Sequence, residues 1–214
     1  MQRSQKDFFC ALGEENYGDV FMGDVLNIRK RDIIEHILKI EWEMFRSVKT
    51  RVPAECQQDF NSFREIRASI FETWTEEMLN SYIADLLKAK ETGKNPFVEK
   101  YAKMDGLLPL SRSNPLIDRI VDIEEKWQKE IEEKYPFLYH RVCRNVSETP
   151  DGRSFSYYLR SELETYGDNT LRLYYQHIVD AFEKGENLAI KSLELLIKKS
   201  GFSSLEQAEA ILKN

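Results

Sequence analysis

The chain has 214 residues, of which 42% are hydrophobic and 32% are charged, and its formal net charge is −6 at pH 7. This composition is typical of a soluble globular protein, and the length suits one domain with a sizeable core or two small fused domains. The acidic balance and the dispersed basic residues argue against nucleic-acid and anionic-membrane partners, and no apolar run reaches the roughly 18 residues of a membrane span.

The first 30 residues mix aromatic residues with glycines, and we predict an irregular N-terminal arm. Their sequence contains acidic residues and no long apolar run, so it does not resemble a signal peptide. The three cysteines, Cys10, Cys56 and Cys143, are too few and too scattered for a disulfide framework or a paired-cysteine metal site. We expect reduced thiols and a cytoplasmic protein.

Beyond the arm, apolar residues recur at the three- and four-residue spacing of amphipathic helices, and no segment alternates with the period of a strand. The first predicted helix runs from Asp32, as its N-cap, to Val48. Two asparagine–proline pairs predict the starts of later helices, because proline suits the first helical position. The remaining helical patterns lie at about 60–74, 75–93, 95–104, 116–135, 155–166, 170–184, 186–199 and from 203 onward.

Parts of the chain repeat. The sequence SIFETW at 69–74 aligns with SELETY at 161–166, and the match continues at a constant offset of 92 residues. Upstream, ILKIE at 37–41 aligns with IVDIE at 120–124 at an offset of 83. The alternative is chance similarity between amphipathic helices. Glycine and asparagine recurring at the same distance from a tyrosine favour a duplication.

We therefore predict an all-α fold, a helical bundle in which two copies of a four-helix unit pack around an approximate internal two-fold axis. The units span about 31–104 and 115–200, and a C-terminal helix follows them. Residues 31–214 are then a single domain, preceded by the N-terminal arm at 1–30.

Charged side chains project into the predicted core. Glu41 falls in the middle of the apolar arc of its helix, and its counterpart Glu124 shows the same anomaly. Helical wheels also place Arg67 and Glu162 among apolar residues. A bare carboxylate there costs roughly several kcal/mol, so we expect each to be paired or bound to a ligand. With two tyrosines that supply hydroxyl groups, the candidate pocket residues are Glu41, Arg67, Glu124, Glu162, Tyr82 and Tyr174.

Three functions remain open at this point. In the first, the pocket binds a small-molecule ligand. In the second, the protein is an enzyme that uses Glu41, Glu124 and Glu162 to hold a divalent cation such as Mg²⁺ or Mn²⁺, which prefer carboxylate oxygens. In the third, the charges form a purely structural network and the chain is an interaction module for a protein partner.

No catalytic motif decides between them. The sequence has no GxSxG nucleophile motif, no GxGxxG fingerprint and no Walker A sequence. The inward glutamates are not followed by histidine three residues later, as di-iron bundles require. The three histidines, His36, His140 and His177, are isolated, and we expect surface or packing roles for them. Whether the protein is an enzyme is left open.

A group of motifs lies at 41–45 (EWEMF), 74–82, 99–104 (EKYAKM) and 158–166 (YLRSELETY). Through these motifs the chain from about residue 32 to 202 resembles a bacterial family, the domain of unknown function numbered forty-one twenty-five. The resemblance implies a helical bacterial protein. It supplies no reaction, cofactor or catalytic residue.

Overall fold

The computed structural model describes residues 25–49, 57–111, 114–144, 146 and 154–213. Over these ranges the chain forms ten helices and no strand, so the all-α prediction is confirmed. None of these helices has the length and apolar character needed to cross a membrane. Most of the predicted N-terminal arm lies outside the described residues, as do Cys10 and Cys56.

Most helices begin where local sequence signals place them. Thr75 caps one helix through its side-chain oxygen, and Asn95 and Asn114 cap two others that carry proline at the first helical position. The helices are α1 (Val25–Arg46), α2 (Phe60–Phe71), α3 (Glu76–Glu91), α4 (Pro96–Met104), α5 (Pro115–Lys134), α6 (Pro136–Val142), α7 (Phe155–Leu163), α8 (Asp168–Glu183), α9 (Leu188–Lys199) and α10 (Leu205–Lys213).

The largest differences from the sequence predictions are the start of α1 and the presence of α6. Helix α1 begins at Val25, so Asp32 lies inside the helix and is not its N-cap. Residues 25–31 extend the helix, and the ammonium group of Lys30 donates to the backbone oxygen of Glu72 at 2.8 Å. Pro136 ends α5 as expected but also opens α6, because proline is tolerated at the first position of a helix.

The helices pack in two sets. Helix α1 contacts α2, α3 and α4, and α5 contacts α7, α8 and α9 in the same pattern. The sets meet where α3 packs on α8, α2 on α9 and α4 on α7, around one main hydrophobic core. A smaller core joins α6 and α10 to the ends of α5 and α9. These pairings are those that a duplication would produce, although the duplication itself stays a prediction.

Two asparagines make matching contacts in the two sets. The Nδ2 of Asn95 donates to the backbone oxygen of Met44 at 2.9 Å, and the Nδ2 of Asn187 donates to that of Trp127 at 3.3 Å. The Oδ1 of each asparagine accepts a backbone N–H in the first turn of its own helix. Each residue therefore joins the start of one helix to α1 or α5.

We expect Asn95→Ala and Asn187→Ala each to lower the free energy of unfolding by about 1–2 kcal/mol, since each loses a helix cap and a tertiary hydrogen bond. Urea unfolding followed by circular dichroism measures the loss. Asn80→Ala, on the exposed face of α3, is the matched control and should change stability by less than about 0.5 kcal/mol. Losses no larger than the control's would contradict the assigned roles.

Candidate functional site

Glu41 is fully buried between α1 and α2. The Nε and Nη2 of Arg67 donate to its two carboxylate oxygens at 2.9 and 2.6 Å, the two-pronged geometry that gives strong charge-assisted hydrogen bonds. The hydroxyl of Tyr82 donates to the same carboxylate at 2.7 Å. The protein itself therefore satisfies both oxygens of Glu41.

Glu162, on α7, lies on the other side of Arg67. The Nη1 of Arg67 donates to Glu162 Oε1 at 2.8 Å, and the Nζ of Lys100 donates to Oε2 at 2.5 Å. The Tyr166 hydroxyl adds a longer hydrogen bond to Oε1 at 3.2 Å. We call Glu41, Arg67, Glu162 and Lys100 the buried charge network. Its two carboxylates and two cations balance each other.

Lys100 is the member of the network that sequence reasoning missed. It is buried on α4, and its ammonium group also lies 3.8 Å from the ring centroid of Tyr158, a cation–π contact. A signal was available, because Phe97 precedes Lys100 by three residues and Met104 follows it by four. A helical wheel of this short segment therefore places the lysine on the apolar face.

The opposite charges around Glu162, Arg67 and Lys100 favour the ionised forms of these three groups despite their burial. Burial opposes ionisation of Glu162, yet Arg67 and Lys100 beside it hold its pKa well below the usual range. Burial likewise disfavours the charged forms of Arg67 and Lys100, but the neighbouring carboxylates raise the pKa of both. These three groups therefore stay ionised at neutral pH.

A partly open cavity of about 230 Å³ lies beside the network, between α2, α5, α7, α8 and α9. Its wall is mostly apolar. Glu41 and Tyr82 are not on this wall: within the packed core, Glu41 pairs with Arg67 and Tyr82 donates to Glu41. The structure thus divides the predicted site residues, and those on the cavity wall are Arg67, Glu124, Glu162 and Tyr174.

Glu124 has different surroundings from Glu41. Its Oε1 accepts a hydrogen bond from the Tyr174 hydroxyl at 2.5 Å, and no arginine or lysine in the described part of the chain forms an ion pair with it. It is half-buried because its side chain faces the cavity. Burial raises the pKa of Glu124 to about 7, although the Tyr174 hydrogen bond acts in the opposite direction. The carboxyl group therefore titrates much closer to neutral pH than an exposed glutamate does.

The predicted alignment offers a reason for this difference. At the offset of 92 residues, the position that matches Arg67 in the second unit is Leu159. Leu159 lies on the cavity wall and brings no charge to Glu124. In this predicted alignment the second unit has no cation at the position from which Arg67 pairs with Glu41.

Two further polar residues line the cavity. The buried Oε1 of Gln128, one turn after Glu124, accepts no hydrogen bond from the described residues. The Nε2 of His177 lies 2.9 Å from the backbone oxygen of Thr73, so this nitrogen carries the proton and Nδ1 is an acceptor. Burial lowers the pKa of His177, which favours the neutral ring. In the sequence, His177 is an isolated histidine and Gln128 belongs to no recognised motif, so neither was predicted as a site residue.

The three predicted metal ligands do not converge. Arg67 donates hydrogen bonds to the carboxylates of Glu41 and Glu162. Glu124 lies apart from them and accepts a hydrogen bond from Tyr174. Within the described ranges, no three His, Cys, Asp or Glu side chains are arranged to hold a metal ion. The protein's own cations take the place that an ion would need, so the geometry gives the metal-site prediction no support.

Cys143 also lies on the cavity wall, just after α6, and is a free thiol. Burial raises its pKa to about 12, so the group stays protonated at neutral pH. A protonated, buried thiol is a poor nucleophile, and the arrangement gives no support to cysteine catalysis.

Comparison with known proteins shows that most of the chain matches the model of one protein family. A family model described as "Protein of unknown function (DUF4125)" matches residues 31–210, which is most of the chain. No curated protein and no solved structure shows a significant match. The matched range contains the whole charge network and every residue of the cavity wall.

Proposed function

The chain belongs to the family of proteins of unknown function DUF4125, and we propose that it binds a small organic ligand in the cavity between α2, α5, α7, α8 and α9. One observation carries this proposal. The largely apolar wall includes the carboxyl group of Glu124 and the amide of Gln128, whose hydrogen-bonding capacity the described residues leave unfilled. An apolar pocket with a few polar groups is typical of ligand sites.

The size of the cavity limits the ligand. Its volume of about 230 Å³ is below the roughly 300–1,000 Å³ of pockets for drug-sized molecules. A dry apolar cavity of roughly 150 Å³ accepts benzene. We therefore expect a ligand no larger than one ring with a short arm, or an aliphatic molecule of similar size.

The buried charge network supports the cavity from one side. Arg67 and Glu162 belong both to the network and to the wall, and their hydrogen bonds link α1, α2, α4 and α7. Because the charges of the network balance, we assign it the role of holding the wall in place. A wall held in this way binds a ligand without first losing conformational freedom.

The proposal predicts that filling the cavity abolishes binding. A library of single-ring fragments, screened on the full chain by saturation-transfer NMR, should give hits that Ala189→Leu weakens at least tenfold, because Ala189 lies on the wall. Ala84→Leu, on the exposed face of α3, is the matched control and should bind as the wild type does. Ser192→Val, also on the wall, is the second variant if Ala189→Leu does not fold.

Hits should also raise the thermal unfolding midpoint of the wild type, since a ligand that binds only the folded state stabilises it. The proposal fails if no fragment binds, or if the hits bind equally well to the wild type and to both cavity variants.

A further inference from the structure

Three polar side chains of the cavity wall, those of Glu124, Gln128 and His177, have acceptor atoms to which no described residue donates. Gln128 presents a buried Oε1 without a donor, and neutral His177 keeps Nδ1 as an acceptor. Glu124 has one oxygen bonded to Tyr174, and no other described residue donates to the carboxyl group. The donors of Arg67, in contrast, are aimed at the carboxylates of the buried network. The wall therefore offers a ligand several acceptors, while the guanidinium of Arg67 is already engaged.

The charges on the wall also favour a ligand with a donor group and a positive charge. Arg67 and Lys100 are each balanced by a carboxylate of the network, so ionised Glu124 is the charge on the wall that no described cation neutralises. Aromatic faces attract cations and also pack against apolar groups. Six aromatic side chains line the same cavity: Trp74, Trp127, Phe155, Tyr158, Tyr166 and Tyr174.

We propose that the ligand is a small organic amine, whose ammonium group binds Glu124 and Gln128 and whose apolar body packs against the aromatic rings. This inference rests on the proposed function. An ammonium group carries several donors and no acceptor, which matches the carboxylate of Glu124 and the amide oxygen of Gln128. An anionic ligand would place like charge against Glu124 and leave the Gln128 oxygen unpaired.

Binding of an amine should depend on pH through Glu124. Its raised pKa of about 7 means that the ionised form, which attracts the ammonium group, is fully available only above neutral pH. Affinity should therefore rise roughly tenfold between pH 6 and pH 8. On the wall, α9 contributes no titratable group, and those facing Glu124 from the other elements are Tyr158, Glu162, Tyr166, Tyr174, His177, Arg67 and Cys143.

The test compares three single-ring probes of similar size and different charge. They are benzylamine, benzyl alcohol and benzoate. NMR titration of the full chain at pH 8 should show benzylamine binding at least tenfold more tightly than the other two. Glu124→Gln should weaken benzylamine at least tenfold and remove its pH dependence, and Gln128→Leu should also weaken it. Glu133→Gln, an exposed position on the same helix, is the matched control and should bind as the wild type does.

The outcomes separate this inference from the proposed function. If benzyl alcohol or benzoate binds as tightly as benzylamine and Ala189→Leu blocks it, the ligand class is wrong while the cavity remains a ligand site. If benzylamine does not bind, or binds Glu124→Gln as well as the wild type, the amine inference is overturned. The fragment screen described above then decides the proposed function by itself.

Discussion

Replacement of Arg67 by methionine is expected to lower the free energy of unfolding by about 3–5 kcal/mol, because it leaves the buried carboxylates of Glu41 and Glu162 without their shared cation. Guanidinium unfolding at pH 7 measures the loss. Arg64→Met is the matched control on the same helix, since Arg64 pairs with Glu35 where both side chains are about one-third exposed. Such a surface pair contributes about 1 kcal/mol or less.

A double variant tests the cause of the Arg67 effect. Among the described residues, Arg67 is the cation that pairs with Glu41, whereas Glu162 pairs with both Arg67 and Lys100. The double variant Arg67→Met with Glu41→Gln therefore removes one positive and one negative charge and leaves the other pair intact. It should be at least about 1 kcal/mol more stable than Arg67→Met, because an unpaired buried charge costs more than a missing pair. Equal losses in the single variant and the Arg64 control would refute a structural role for the network.

The second large effect is a change in the pH dependence of stability in Glu124→Gln. The pKa of Glu124 is raised from 4.5 to about 7 by burial, so between these values the folded state holds its proton more tightly than the unfolded state. The free energy of unfolding of the wild type should therefore fall as pH rises through this window, by up to about 3 kcal/mol from this group. Glutamine does not titrate, so the free energy of unfolding of the variant should not fall for this reason.

Relative to the wild type, Glu124→Gln should gain most above pH 7 and least near pH 4.5. Urea unfolding of both proteins from pH 4.5 to 8 gives the difference, in which the titration of other groups cancels. The exposed variant Glu133→Gln should show no such trend. A difference between Glu124→Gln and wild type that does not change with pH would show that Glu124 is not the titrating group.

Local signals were enough to predict nine of the ten helices in the described ranges, but not α6 (Pro136–Val142). Asn95 and Asn114 opened helices as expected, because capping and proline tolerance depend on residues within one turn. The inward positions of Glu41 and Arg67 were also readable, since a wheel needs only the period of the helix. The start of α1 was not, because Asp32 is a residue typical of N-caps, whereas the first turn of the helix, from Val25, carries no acidic residue.

The partners of the inward charges could not be predicted from local patterns. Glu162 meets Arg67 and Lys100 from positions 95 and 62 residues away. Glu41 and Glu124 occupy the same place in their predicted repeats, yet one is bound by an arginine and the other faces a cavity. A helical wheel contains only the residues of its own helix, so it gives no information about the partner residues that neighbouring helices contribute.

The sequence by itself therefore determined the all-α class, most helix limits and the faces that carry charge, because periodicity and capping are properties of short segments. Only the tertiary structure decided that Glu41, Arg67, Glu162 and Lys100 neutralise one another, and that Glu124 and Gln128 remain available on a cavity wall. The physical reason is that a buried charge is defined by its neighbours, and these come from helices far apart in the chain.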